Sequence, residues 1–267
     1  MIGVFDSGVG GLSVLLELVR LMPEQDYVYV ADTRYCPYGP KSVDVIRERS
    51  SVISQFLIDK GAEVVVVACN TATAASVSLL RSAFPVPFVG MEPAIKPAAA
   101  LSRSGVVGVL ATANTFNGSL YHHTRDTYAT EVTVIERVGE GLVELVEQGQ
   151  LEGPQTEAVV RRCVEPMLAA AADVVVLGCT HYPFLTPVLR QLVGPRVEIL
   201  NPAPAIAVQT QRVLQASHEA EPSSLPSEPR VGSIAFCTTG DSTDMLKKMA
   251  DRYFSHLPNL SFVCLDL

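Results

Sequence analysis

The chain has 267 residues, 48% of them hydrophobic and 18% charged, which is too apolar for a solvated coil and long enough for one large domain or two of about 150 residues or fewer. Lys and Arg number 20 against 28 Asp and Glu, a formal net charge of −8, and no run of five basic residues occurs, so general binding to nucleic-acid phosphates or anionic lipid is not expected. One of the longest apolar stretches, Leu168 to Leu177, is broken by Asp173 and is shorter than the roughly 20 residues of a membrane helix, and Met1 leads into Ile2-Gly3-Val4-Phe5 without a basic leader, so a soluble protein of the reducing cytoplasm is expected.

In chain order, the pattern predicts a strand at Ile2 to Phe5, a helix from about Gly11 to Leu21 and a strand at Tyr27 to Ala31, the βαβ rhythm of a parallel sheet. A helix over Val43 to Lys60, a fully apolar strand at Val64 to Ala68, a helix near Thr71 to Ser82 and a short strand at Phe88 to Val89 follow. Strands apolar on both faces imply helices on both sides of the sheet. The rhythm resumes with strands at Val106 to Leu110, Val132 to Ile135, Val174 to Leu177 and Val197 to Ile199, separated by helical stretches that include Gln155 to Ala171. Proline-marked crossings at Glu92 to Pro97 and Asn201 to Pro204 flank this second group. The expected division is therefore a discontinuous first α/β domain, 1–92 and 203–267, and a second α/β domain, 93–202. Ser217 to Val231 carries no periodicity and reads as a mobile surface loop, before a last strand, helix and strand between Ser233 and Leu267.

One internal similarity joins the halves: Val64-Val65-Val66-Val67-Ala68-Cys69-Asn70-Thr71 against Val174-Val175-Val176-Leu177-Gly178-Cys179-Thr180-His181. Both place a cysteine at the end of a buried strand, before polar residues that open a helix. The expected fold is thus two pseudosymmetric domains, each a mainly parallel sheet flanked by helices, with a site in the cleft between them. Ligands in such folds sit beyond the carboxyl ends of strands, and a helix N-terminus lowers a thiol's pKa toward neutrality, so Cys69 and Cys179 are candidate acid/base groups. Asp6-Ser7-Gly8-Val9-Gly10-Gly11-Leu12 also follows a strand and opens a helix, its glycines allowing backbone amides to approach a ligand. It is not a dinucleotide fingerprint, because the spacing from Gly8 meets Ser13 where a third glycine belongs. Asp6 could cap that helix or exchange a proton with a nearby thiol. His181 could hydrogen-bond a substrate or serve a neighbouring thiol, whereas His122 and His123 read as solvated. Tyr35 to Pro40 reads as a rigid aromatic turn. The six cysteines, Cys36, Cys69, Cys163, Cys179, Cys237 and Cys264, include no C-x-x-C pair, so neither a disulfide framework nor a metal cluster is expected.

These motifs together, with Cys-Pro-Tyr-Gly at 36 to 39, Ala-Cys-Asn-Thr-Ala at 68 to 72 and Gly-Cys-Thr-His-Tyr-Pro at 178 to 183, resemble from end to end the glutamate racemases of the aspartate/glutamate racemase superfamily. The resemblance implies cofactor-independent interconversion of L- and D-glutamate, supplying D-glutamate for peptidoglycan. It implies that Cys69 removes the proton from D-glutamate, assisted by Asp6, and that Cys179 removes it from L-glutamate, assisted by His181. Asp6 and Ser7, Tyr38 and Gly39, Asn70 and Thr71, and Thr180 and His181 match substrate-contacting pairs. Glu147 matches a glutamate that supports the site, although Gly139 and Glu140 stand where the family often has Cys-Pro. No Lys or Arg lies inside the motifs, so backbone amides and the side chains of Ser7, Asn70, Thr71 and Thr180 would bind the carboxylates. The expected partner is glutamate, with no nucleic acid, no membrane, no metal and no cofactor, and with a homodimer as the assembly to test for. Two other readings stay open: an aspartate racemase or related isomerase, because two cysteines do not fix side-chain length, and a non-catalytic anion- or nucleotide-binding module.

Overall fold

Valine-rich strands with no polar face need a helix layer on each side, and the computed structural model, which describes residues 1–220 and 231–267, contains two sheets built this way. The first sheet begins with β1 (Ile2–Asp6), β2 (Tyr27–Ala31), β3 (Val64–Val67) and β4 (Phe88–Gly90). The second consists of β5 (Val106–Ala111), β6 (Thr133–Val138), β7 (Val174–Gly178) and β8 (Glu198–Leu200). The chain then returns to the first sheet with β9 (Ile234–Thr238) and β10 (Leu260–Cys264). All pairings are parallel, and the spatial order β2-β1-β3-β4 of the first sheet recurs as β6-β5-β7-β8 in the second. β9 and β10 extend the first sheet beyond β2. The repeated order makes β3 the counterpart of β7, and so sets Cys69 and Cys179 at matching strand ends.

The helices are α1 (Leu12–Leu21), α2 (Val43–Asp59), α3 (Asn70–Ala83), α4 (Ile95–Leu101), α5 (Ala113–Phe116), α6 (Ser119–Tyr128), α7 (Leu142–Glu147), α8 (Pro154–Ala169), α9 (Thr186–Val193), α10 (Ala203–Ala220) and α11 (Asp244–Tyr253). Among the described residues no helix is long and apolar enough to cross a membrane. The proline-marked crossing after residue 92 is partly helical, because Pro97 falls in the first turn of α4, where a missing N–H breaks no intrahelical bond. The stretch read as a loop from Ser217 is helical through Ala220, and its remainder, 221–230, lies outside the described residues. His122 and His123 are exposed on α6, as expected. The six cysteines are free thiols.

A single apolar cluster joins the two units on one side: Val9, Leu12 and Leu15 belong to it together with Leu142, Leu145 and Val146 of α7 and Leu185 and Leu189 near α9. Phe184 packs against Tyr253 of α11 with ring centroids 5.2 Å apart. The strand ends that face the same junction are polar. Leu18 is fully buried in this cluster, so Leu18→Ala is expected to cost about 2–5 kcal/mol. Leu101→Ala, at a position 51% exposed, should stay within about 0.5 kcal/mol. Urea titrations of both variants check this, and a loss below about 1 kcal/mol at Leu18 would contradict it.

Candidate active site

The carboxyl ends of β1, β3 and β7 deliver Asp6, Cys69 and Cys179 to one place, but the two thiols arrive in different local structures. Cys69 is 5% exposed and caps α3, its Sγ accepting the Ala72 amide hydrogen at 3.4 Å and lying 4.0 Å from Ser7 Oγ. Burial and the neighbouring charge of Asp6 nevertheless push this thiol well above its ordinary value, and the helix amide does not reverse them. The expected lowering at a helix N-terminus is therefore corrected for Cys69: in so dry a position desolvation wins. Cys179 does not open an α-helix at all. Residues Tyr182–Leu185 form a 3-10 turn before α9, and the polar neighbour of Cys179 is His181, whose Nδ1 lies 3.7 Å from Sγ.

His181 is 2% exposed, and its Nε2 lies 2.6 Å from Oε1 of Glu147, the last residue of α7. The same oxygen accepts the Val9 amide hydrogen at 2.7 Å. Burial alone would discharge both side chains, but their bonding reverses it. Hydrogen bonds from His181 to Cys179, Cys36 and Glu147 hold the imidazole well above its ordinary range, and those from His181 and Val9 hold the Glu147 carboxyl down. The pair is thus an imidazolium against a carboxylate. Cys36, half-buried, has its thiol pushed up to about 12 by burial. Its sulfur, an oxygen of Glu147 and a ring nitrogen of His181 lie within 4.8 Å of one another, a three-ligand group suited to a metal ion. No spacing motif announces this group, because positions 36, 147 and 181 lie far apart in the chain.

The glycines after Asp6 make room for this pair. A Cβ on Gly8 would overlap the Glu147 carboxylate, and one on Gly10 would overlap the His181 ring. Asp6 itself is fully buried; Oδ1 accepts from Gly8 N at 2.8 Å and from Ser7 Oγ at 3.2 Å, while Oδ2 accepts from Thr180 Oγ1 at 2.8 Å. Asp6 therefore links the residue beside Cys69 to the residue beside Cys179. Further bonds cross between the two sheets' strand ends: Ser13 Oγ to the Thr180 carbonyl at 2.8 Å, Thr71 Oγ1 with Thr112 Oγ1 at 2.8 Å, and Asn114 Nδ2 to the Lys41 carbonyl at 2.9 Å and the Tyr38 carbonyl at 3.4 Å.

Not every residue singled out in the sequence offers its side chain here. The Tyr38 hydroxyl donates to Asp32 Oδ2 at 2.6 Å, and Asp32 also takes Arg49 at 3.0 and 2.9 Å, so Tyr38, whose carbonyl accepts from Lys41 N and Asn114 Nδ2, has its main-chain N–H to offer a substrate. The same bonds commit the buried Arg49 guanidinium. Asn70 is the opposite case: it is 3% exposed and neither atom of its amide has a hydrogen-bond partner among the described residues. Ser13, Thr112 and Asn114 were not legible as site residues. The strand-end rule, applied to β5 as it was to β1, would have pointed to Thr112.

Residues 2–210 match the family described as Asp/Glu/Hydantoin racemase. A glutamate racemase of Ectopseudomonas mendocina is 50% identical over 82% of this chain and 83% of its own length, and one of Herpetosiphon aurantiacus is 46% identical over 92% and 95%. The crystal structure of Escherichia coli glutamate racemase in complex with L-glutamate and the activator UDP-MurNAc-Ala superposes with a TM-score of 0.84 at 32% identity, covering 98% of this chain and 96% of that one.

Burial raises the Asp6 carboxyl to about 6 from an ordinary value of 3.8. The folded state therefore holds a proton that the unfolded chain has released, and stability falls as pH rises from about 4 to about 6, by an amount on the order of 3 kcal/mol. Asp6→Asn should escape this loss and be the more stable protein at pH 7, with the difference vanishing below about pH 4. Urea midpoints across that range decide it, and parallel pH curves for the two proteins would contradict it.

Proposed function

The chain belongs to the Asp/Glu/hydantoin racemase family and racemises glutamate, and we propose that it does so by two-base proton transfer between Cys69 and Cys179 on opposite faces of the substrate Cα. The observation that carries this reading is the matched placement of two thiols at the ends of β3 and β7, joined through Ser7, Asp6 and Thr180. Racemisation removes a proton from one face of Cα and returns one to the other. Two opposed groups meet that need without rearrangement between the half-steps.

In the direction from L-glutamate, a Cys179 thiolate takes the α-proton and the Cys69 thiol gives its own to the opposite face. D-glutamate leaves, with Cys179 as thiol and Cys69 as thiolate. The reverse direction exchanges these roles. Raised as it is, the Cys69 thiol is protonated and ready to donate, while the imidazolium of His181 is the charge partner that a Cys179 thiolate needs. After D-glutamate leaves, the Cys69 thiolate regains a proton by way of Asp6, whose carboxyl is raised to about 6, and the Cys179 thiol releases one to water, which returns the pair to its starting state. Both proton carriers are protein thiols, so the step asks for no cofactor.

The unbonded amide of Asn70, the hydroxyls of Ser7, Thr71 and Thr180, and the main chain at Tyr38 and Gly39 bind the ammonium and the two carboxylates. Donors fixed before reaction also stabilise charge that spreads into the α-carboxylate in the transition state. Substrate enters as the units 1–92 with 203–267 and 93–202 part about the crossings near 92 and 202. The enzyme works in the cytoplasm, its D-glutamate enters peptidoglycan, and a homodimer is the assembly we expect.

Replacing either Cys69 or Cys179 by Ala should lower racemisation by at least about 100-fold while leaving the circular dichroism spectrum unchanged. The retained thiol should still wash out the α-proton of one enantiomer in deuterium oxide: L-glutamate for Cys69→Ala and D-glutamate for Cys179→Ala. Near-native racemisation by either variant would refute the two-base assignment.

A further inference from the structure

Cys36 has no part in the proton transfer, yet its sulfur reaches the two residues that serve Cys179. We propose that Cys36, Glu147 and His181 form an inhibitory site for zinc, in which the metal is held by thiolate, imidazole and carboxylate and His181 becomes a metal ligand. The inference rests on the racemase reading for its effect on turnover, but not for the binding itself.

The donor set is the first reason. Sulfur, imidazole nitrogen and carboxylate oxygen together suit zinc and reject magnesium and calcium, which take oxygen ligands. Geometry is the second. The donor atoms lie within 4.8 Å of one another, and around a tetrahedral zinc they would stand about 3.3–3.7 Å apart. The His181–Glu147 contact of 2.6 Å would widen, and the thiol would close in, each by about an ångström or less. Binding as thiolate releases the Cys36 proton to solvent. Access comes from the side of Cys36 and Glu147, whose side chains are partly exposed, and no side chain on Gly8 stands in the way. Three protein ligands leave a fourth position for water. His181 held on zinc is no longer free to act as the charged partner of the Cys179 thiol, 3.7 Å from its Nδ1.

The test uses the whole protein, stripped with a chelator and then titrated with zinc while racemisation and bound metal are both measured, alongside Cys36→Ser and Cys36→Ala. Wild type should bind one equivalent of zinc and lose at least about tenfold in rate, with recovery on adding chelator, whereas both variants, each measured against its own metal-free rate, should need at least about tenfold more zinc for the same fractional inhibition. Cobalt bound to wild type should show thiolate-to-metal charge transfer that both variants lack, a readout that stands even if a variant is inactive or if the stripped protein racemises nothing. Wild type that binds no zinc, or variants inhibited and loaded like wild type, as zinc held by Cys69 or Cys179 would give, overturns the proposal.

Discussion

The site depends on the close approach of a side-chain-free loop to a buried ion pair carried by the other unit. Gly8 and Gly10 let the backbone after β1 lie against Glu147 and His181, and Val9 donates its amide to the same carboxylate oxygen that faces the imidazole. Taking two charges out of water is unfavourable unless each finds its partner and the remaining lone pairs are bonded, and removal of one member of such a pair commonly costs about 3–5 kcal/mol. The loop supplies one of those bonds. Any side chain at Gly8 or Gly10 would overlap the Glu147 carboxylate or the His181 ring and force the loop off the pair.

The fold is symmetric at the level of strands and asymmetric at the level of chemistry. The order β2-β1-β3-β4 repeats as β6-β5-β7-β8, which places the thiols alike. Beyond the strand ends the repeat breaks: Asn70 begins a regular helix that Cys69 caps, whereas Pro183 turns the chain after Cys179 into a 3-10 segment and swings His181 beside the sulfur. One thiol is thereby held in a dry pocket with a carboxylate nearby, the other beside an imidazolium. The two strand ends are alike in position and unlike in their neighbours.

Much of the fold was legible because it follows from local pattern. The all-valine run at 64–67 can hardly be anything but a two-sided strand, and its likeness to 174–177 exposed the repeat. Strand ends carried the thiols, Asp6 and Thr180 for the same reason. What stayed hidden needs tertiary structure. Glu147 meets His181 across 34 positions of chain, and Cys36 joins them across more than a hundred, so no spacing could reveal the group. Gly8 and Gly10 also make space for protein side chains, Glu147 and His181, which no local pattern reports. The thiol of Cys69 was misjudged because burial, which no local pattern reports, outweighs the helix end.

The central claim, that the group returning the proton is not the one that removed it, is tested most directly by starting the reaction from a single enantiomer in deuterium oxide and stopping it early. The account predicts that newly formed D-glutamate carries deuterium at Cα while recovered L-glutamate is still largely protiated, and the converse from the D side. Product that retains the original hydrogen, or recovered substrate that is deuterated as fast as product forms, would contradict it.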